Sequence, residues 1–169
     1  MTRRINVGCG EFRIPGFENV DITEVPAATG GREPVVLADA LGYDYSGASE
    51  VYAGHFIEHL TLEDARRFLA IVHEQVPPGA LLTVTVPAID RKALMNAVIL
   101  EGTLHGGRRW TGDEHRSLWT CEDVFREMAA AGWTGLREWP DCPRLVDRAP
   151  WQVCVCGVKA EVKNAPERS

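Results

Sequence analysis

The chain has 169 residues, 45% of them hydrophobic, and a net charge of −6; that length suits one domain with an ordinary core, and the acidic balance excludes the overall footprint of a phosphate-backbone binder. No run approaches the roughly 18 apolar residues that span a bilayer, so neither a membrane nor a nucleic acid is the expected partner. Five cysteines, at 9, 121, 142, 154 and 156, are an odd set in a chain of this size and read as reduced, packed thiols of a cytoplasmic protein.

Arg3 and Arg4 open the chain, but Asn6, the glycines and Glu11 deny them the apolar segment of a targeting signal. The run Ile5 to Asp21, INVGCGEFRIPGFENVD, begins with a strand start and a Gly8-Cys9-Gly10 turn and ends in an acid. Glycines let a backbone turn sharply and approach a ligand, and an acid at a strand end can grip ribose hydroxyls, so this is the layout of a nucleotide-type cofactor site. Ten residues separate Gly10 from Asp21, with Pro15 and Gly16 among them, which leaves no room for a long crossover helix. Extended, ten residues reach roughly 33 Å, more than a strand of about 17 to 20 Å, so a short irregular return to a parallel neighbour is expected.

Pro34 to Asp39 and Glu50 to Gly54 are short apolar runs that read as buried parallel strands. Leu62, Ala65, Leu69, Val72 and Val76 make one helical stripe, capped by Thr61 with Asp64 and stopped by Pro77, Pro78 and Gly79. Leu81 to Val86 is the next strand. Asp90 to Leu100 is expected as a helix ended by Gly102, and Thr120 to Ala131 as another, capped by Thr120 with Asp123 and ended by Gly132. Trp133–Trp139 and Trp151–Val158 close the chain as an antiparallel pair joined by a loop through Pro140, Pro143 and Pro150. The expected architecture is α/β, a mainly parallel sheet flanked by helices with a C-terminal antiparallel strand pair. Residues 1–162 form the single domain and 163–169 a flexible tail.

Two further segments carry chemistry. His55-Phe56-Ile57-Glu58-His59 spells H-x-x-E-H, which on a helix would put two imidazoles on a zinc ion beside a carboxylate base, as in a protease. Following a strand, it instead puts His55 at the carboxyl end of the sheet with Gly8, Asp21 and Asp39, where open α/β sheets bind ligands, and this reading is preferred. Gly102 to Trp119, with His115, Arg108, Arg109 and Trp110, reads as a binding loop. No metal site is expected. Cys142, Cys154 and Cys156 lack a paired C-x-x-C knuckle.

These motifs, in this order, resemble the class I S-adenosylmethionine-dependent methyltransferases, and most closely a compact bacterial subgroup. Its pattern is roughly L-x-x-G-C-G-x5-G-[FWY]-x-N-[VL]-D, then H-[VI]-[LI]-E-H-[LI], then a late H-[KR]-S-x-[FW]-T. The chain has N-V-G-C-G, Gly16 to Asp21, His55 to Leu60 and His115 to Thr120, while Pro78 to Leu81 is similar to the family's P-G-G-x-L turn. The likeness runs from Ile5 to Trp139 and implies a Rossmann-like fold with S-adenosyl-L-methionine as cofactor. It further implies that Gly8, Cys9 and Gly10 pass the methionine end and that Asp21, followed by Ile22, binds the ribose hydroxyls. Asp39 would approach the adenine amino group, Ala40 the ring, and His55 would line the methyl-donor pocket. Asn6 stands where many relatives carry an acid, and Ala80 replaces a glycine.

The implied activity is methyl transfer to oxygen or nitrogen of a small-molecule substrate, a saccharide or specialised metabolite. Histidine suits proton removal near neutral pH, and His55, His115 and His59 are the catalytic candidates in that order. Glu58 holds an imidazole or caps a helix. Substrate recognition is expected from Ala88 to Trp119 and the closing hairpin. The alternative is a non-catalytic S-adenosylmethionine-binding module or partner subunit. Monomer and homodimer both remain open.

Overall fold

The computed structural model describes residues 2–25, 33–94, 97–106, 113–142 and 150–161. Arg108, Arg109 and Trp110 and the 163–169 tail, singled out from the sequence, lie outside them. Seven strands form one sheet: β1 (Arg3–Val7), β2 (Glu18–Asp21), β3 (Val35–Leu37), β4 (Ala48–Gly54), β5 (Leu81–Pro87), β6 (Thr134–Glu138) and β7 (Gln152–Val158). Their order is β3-β2-β1-β4-β5-β7-β6. The first five run parallel, and β7 pairs antiparallel with both β5 and β6. The predicted α/β architecture with its antiparallel closing pair is therefore the one observed.

The short return after Gly10 works as its length requires. The chain enters β2 without a helix, and β1 and β2 pair in the register Asn6↔Asn19, Val7↔Val20. Asn6 and Asn19 are both buried. The Asn6 Nδ2 amide donates to Asn19 Oδ1 at 2.8 Å and to the Phe12 carbonyl at 2.9 Å, while Asn19 Oδ1 also accepts from the Ile14 amide at 2.8 Å. Two side-chain amides thus supply the hydrogen bonds that an irregular loop cannot make to a ladder.

Helix α1 (Leu62–Gln75) and helix α3 (Cys121–Ala130) start at the predicted caps, Thr61 accepting from the Asp64 amide and Thr120 forming a reciprocal capping box with Asp123. Between them, the single helix expected over 90–100 is not found. Residues Ile89–Leu94 form 3₁₀ turns with Arg91 off helical geometry, and helix α2 spans Ala97–His105. The Arg91 guanidinium reaches the Gln152 carbonyl at 2.6 Å and also meets Glu138, and Asp90 Oδ2 accepts from the Cys121 amide at 3.2 Å. Tertiary partners override the apolar spacing there. Gly102 lies inside α2, and the glycine that ends it is Gly106, at φ +78°.

A second correction concerns β3, read as a buried strand. It is the sheet's edge, and Val36 and Leu37 are exposed. The central strands carry the core: Ile5, Val7, Val51, Leu82, Val84 and Val155 pack with Phe68, Leu69 and Val72 of α1 and with Val124 and Met128 of α3. Cys142, Cys154 and Cys156 are buried and form no disulfide among the described residues. Among the described residues no helix is long and apolar enough to cross a membrane.

Candidate functional site

At the carboxyl ends of β1, β2 and β4, and beside the chain leaving β3, lies a cavity of about 510 Å³, within the range of small-molecule sites. Gly8, Cys9, Gly10, Asp21, Ile22, Asp39 and Ala40 all line it. So do His55, His59 and His115. Every residue singled out from the sequence as a cofactor or catalytic candidate thus lines one space; those up to His59 reach it because they follow parallel strands to the same edge, whereas His115 is brought in by the segment after α2.

Local chemistry sets the shape of the glycine-loop side of the cavity. Gly8 has φ +63°, and a Cβ there would come within 2.2 Å of Phe56 Cδ2. Gly10 also has a left-handed backbone, φ +47°, but open space at its Cβ position. Its amide donates to Asp21 Oδ2 at 2.8 Å, and the Thr23 amide donates to Oδ1 at 3.1 Å. These two bonds fix the carboxylate, and a carboxylate oxygen has a second lone pair to offer a ligand. Asp39 is held the same way by the Leu41 amide, 2.9 Å from Oδ1. Ala40 is buried, its carbonyl accepting from the Tyr45 hydroxyl at 2.9 Å, whereas Ile22 is 72% exposed at the rim. Burial, with the nearby Asp21 charge, pushes the Cys9 thiol up to about 12, so it lines the cavity as a protonated thiol and not as a nucleophile.

The histidine side is assembled from two distant segments. His55 leaves β4 with φ +52°, a conformation that costs a non-glycine residue energy and persists only where its surroundings hold it. Its amide donates to the Thr85 carbonyl at 2.8 Å. Residues Ile57–His59 form one 3₁₀ turn, so His55 and His59 do not share a helix as the protease reading requires. The segment after α2 docks on this turn. The Arg116 and Ser117 amides both donate to the Glu58 carbonyl, at 2.8 and 3.1 Å, and the Ser117 hydroxyl donates to the Ile57 carbonyl at 3.2 Å. Trp119, fully buried, donates its indole N–H to the Ser117 hydroxyl at 2.8 Å and anchors the segment.

That docking surrounds Glu58 with three imidazoles. The Glu58 side chain is 2% exposed, and His55 Nδ1 lies 3.2 Å from its Oε1. The His59 and His115 rings meet edge to face at 5.0 Å between centroids. Burial opposes charge on Glu58, but His55 first, then His59 and His115, outweigh it and hold the carboxyl below its usual range. Burial pushes His115 the other way, toward the neutral ring, against the pull of Glu58. His115 Nδ1 lies 2.8 Å from the Thr103 carbonyl and His59 Nδ1 3.2 Å from that of Glu114. A carbonyl oxygen only accepts, so in the neutral form of either ring Nδ1 carries the proton and Nε2 the lone pair.

The sequence indicated three separate bases, and the buried acid joining them was left between two roles. Asn6 and Asn19 were missed as organisers of the glycine loop. Their signal is that each stands one residue before a strand valine, Val7 or Val20, which brings them face to face in the parallel pair. Buried Asp113 and Gln152 also line the cavity; neither belongs to a recognisable pattern.

No protein-family model matches this chain, and no curated protein sequence matches it. Solved structures do. Human N-acetylserotonin methyltransferase in complex with S-adenosylmethionine superposes with a TM-score of 0.66 at 12% identity, over 95% of this chain and 48% of that one. A methyltransferase dependent on the same cofactor from Archaeoglobus fulgidus gives 0.64 at 16% identity, over 93% and 86%. One from Thermotoga maritima, described as a possible histamine N-methyltransferase, gives 0.64 at 15%, over 93% and 81%. The chain spans about half the length of the human protein. It therefore has the fold of the S-adenosylmethionine-dependent methyltransferases, a mainly parallel Rossmann-like sheet closed by an antiparallel pair.

Proposed function

We propose that this chain is an S-adenosylmethionine-dependent methyltransferase acting on oxygen or nitrogen of a small molecule, a saccharide or specialised metabolite, in the cytoplasm. The observation that carries the reading is the convergence of the glycine loop, two strand-end carboxylates and His55 on one cavity of about 510 Å³. The residues fit the cofactor. Gly8 and Gly10 leave the backbone bare where the methionine end would pass, Asp21 offers two fixed oxygens to the ribose diol, and Asp39 with Ala40 suits the adenine. When bound, S-adenosylmethionine supplies an electrophilic methyl group on a sulfonium.

The protein's part is positioning and proton removal. Glu58 beside His55 Nδ1 selects the tautomer with the proton on Nδ1, so Nε2 is the atom that takes the acceptor's proton. His115 and His59 follow as second and third candidates, each fixed through Nδ1.

Calorimetric titration of the full chain with S-adenosylmethionine and S-adenosylhomocysteine tests the reading. Binding is expected with one site, and Asp21→Ala should weaken it by at least about tenfold, near 1.4 kcal/mol, with an unchanged circular dichroism spectrum. Folded protein that binds neither compound would sink the methyltransferase reading, and equal affinity in Asp21→Ala would remove the ribose role. Binding without methyl transfer to any of a panel of hydroxyl and amine acceptors would favour a non-catalytic module.

A further inference from the structure

We propose that Glu58, His59 and His115 form a divalent-cation site in the wall of this cavity, one that holds a first-row transition metal and offers its open positions to an oxygen donor of the acceptor. The acceptor's part rests on the methyltransferase reading; the cation site does not. One ligand atom from each of the three side chains lies within 4.8 Å of the other two. Bonds of about 2.1 Å need donors about 3.0 to 3.5 Å apart, a contraction that side-chain torsions can supply.

Three independent features support a cation. The first is the pinning of both imidazoles. His115 Nδ1 faces the Thr103 carbonyl and His59 Nδ1 that of Glu114, the outer-shell pattern that orients metal-binding histidines and leaves Nε2 to the ion. The second is Glu58 itself. It is buried, neither of its carboxylate oxygens has a hydrogen-bond partner of good geometry among the described residues, and no lysine or arginine pairs with it there. A carboxylate so buried needs a positive neighbour. The third is the backbone clamp from Arg116 and Ser117 onto the Glu58 carbonyl, which joins the donors of both segments in one rigid unit.

Two imidazoles and one carboxylate suit zinc, manganese, iron or cobalt rather than magnesium or calcium, which take all-oxygen shells. Three protein ligands also leave coordination positions open, as in catalytic sites, whereas structural sites are closed by four. All three residues line the cavity, so the open positions face the space where the acceptor would sit. This assignment differs from the H-x-x-E-H protease pattern in two ways: Glu58 is a ligand and not the base, and His115 takes the place of His55, whose Nδ1 is turned to Glu58 Oε1 and which remains the base.

The test uses chelator-treated full-length protein, with cobalt(II) chloride as a spectroscopic probe and zinc and manganese chlorides in calorimetry. One equivalent of cation is expected, with a visible cobalt spectrum of nitrogen and oxygen ligands. His115→Ala, His59→Ala and the isosteric Glu58→Gln should each weaken binding by about 100-fold or more, while His55→Ala stays within about tenfold. Asp21→Ala should bind S-adenosylmethionine more weakly and keep the cation. Folded wild-type protein that takes up no stoichiometric cation overturns the proposal. So does full affinity in folded His115→Ala or His59→Ala, loss in His55→Ala alone, or a thiolate-to-cobalt band that assigns the ion to cysteine. Cation uptake without S-adenosylmethionine binding would sink the methyltransferase reading and leave the site standing.

Discussion

Gly8 is the residue on which sequence and structure agree most closely. A glycine is required there twice over, by φ +63° and by the Phe56 ring 2.2 Å from where a Cβ would sit. Gly8→Ala should therefore cost at least the roughly 1 to 2 kcal/mol of a left-handed backbone, with the Phe56 collision added. Urea unfolding of Gly8→Ala, Phe56→Ala and the double variant checks this: the double should lose less than the sum, because truncating the ring removes the collision. Additive losses would show that Phe56 does not constrain the loop. The convergence of the glycine loop with Asp21 and Asp39 was legible because strand ends bring acids and glycines together by register alone. The histidine cluster was only half legible. His55, Glu58 and His59 are neighbours in sequence, but His115 reaches them through backbone bonds to the Glu58 carbonyl, and no local pattern encodes a contact between segments so far apart. Asn6, which from the sequence looked like a missing acid, is a buried amide that holds the loop by neutral hydrogen bonds.

Caps made α1 and α3 readable. Thr61 and Thr120 both stand three residues before an aspartate whose amide they accept, and each precedes an apolar stripe that faces the sheet. Thr120→Ala removes the acceptor for the Asp123 amide and one side of the capping box, and should destabilise the protein by about 1 to 2 kcal/mol, measured as a lower urea midpoint with an unchanged slope. Thr120→Ser should retain most of that stability. The middle helix was misread because its apolar spacing is sound and its partners are remote: Arg91 and Asp90 answer to Gln152, Glu138 and the first amide of α3. Apolar periodicity reports which face is buried, not whether the backbone between two turns is pulled off axis by a guanidinium whose partners lie elsewhere. For β3 the limit is different, since a run of valine and leucine reads the same in a central strand as in an edge strand.

At the scale of the molecule, helices α1 and α3 are joined by a two-pronged contact, Arg66 Nε to Glu127 Oε2 at 2.8 Å and Nη2 to Oε1 at 2.9 Å. The Arg66 guanidinium, against the opposing effect of burial, holds the Glu127 carboxyl below its usual range. A carboxyl depressed in the folded state contributes stability above its unfolded pKa of about 4.3 and loses it as pH falls through the folded value. The stability gap between wild type and Glu127→Gln should thus be widest above about pH 5 and narrow steadily toward pH 3; a gap that stays constant would mean that Glu127 acts by packing alone. The order of the sheet has a further consequence. Strand β7 is the last to be synthesised, yet it lies between β5 and β6 and pairs with both. Until residues 152–158 leave the ribosome, the LLTVTVP strand has one ladder edge with no partner, although its residues beyond Leu81 are all buried in the finished protein. Such an edge recruits other chains. A chain stopped at residue 150 should therefore be recovered from cells as aggregate, despite carrying every residue of the glycine loop and the histidine cluster.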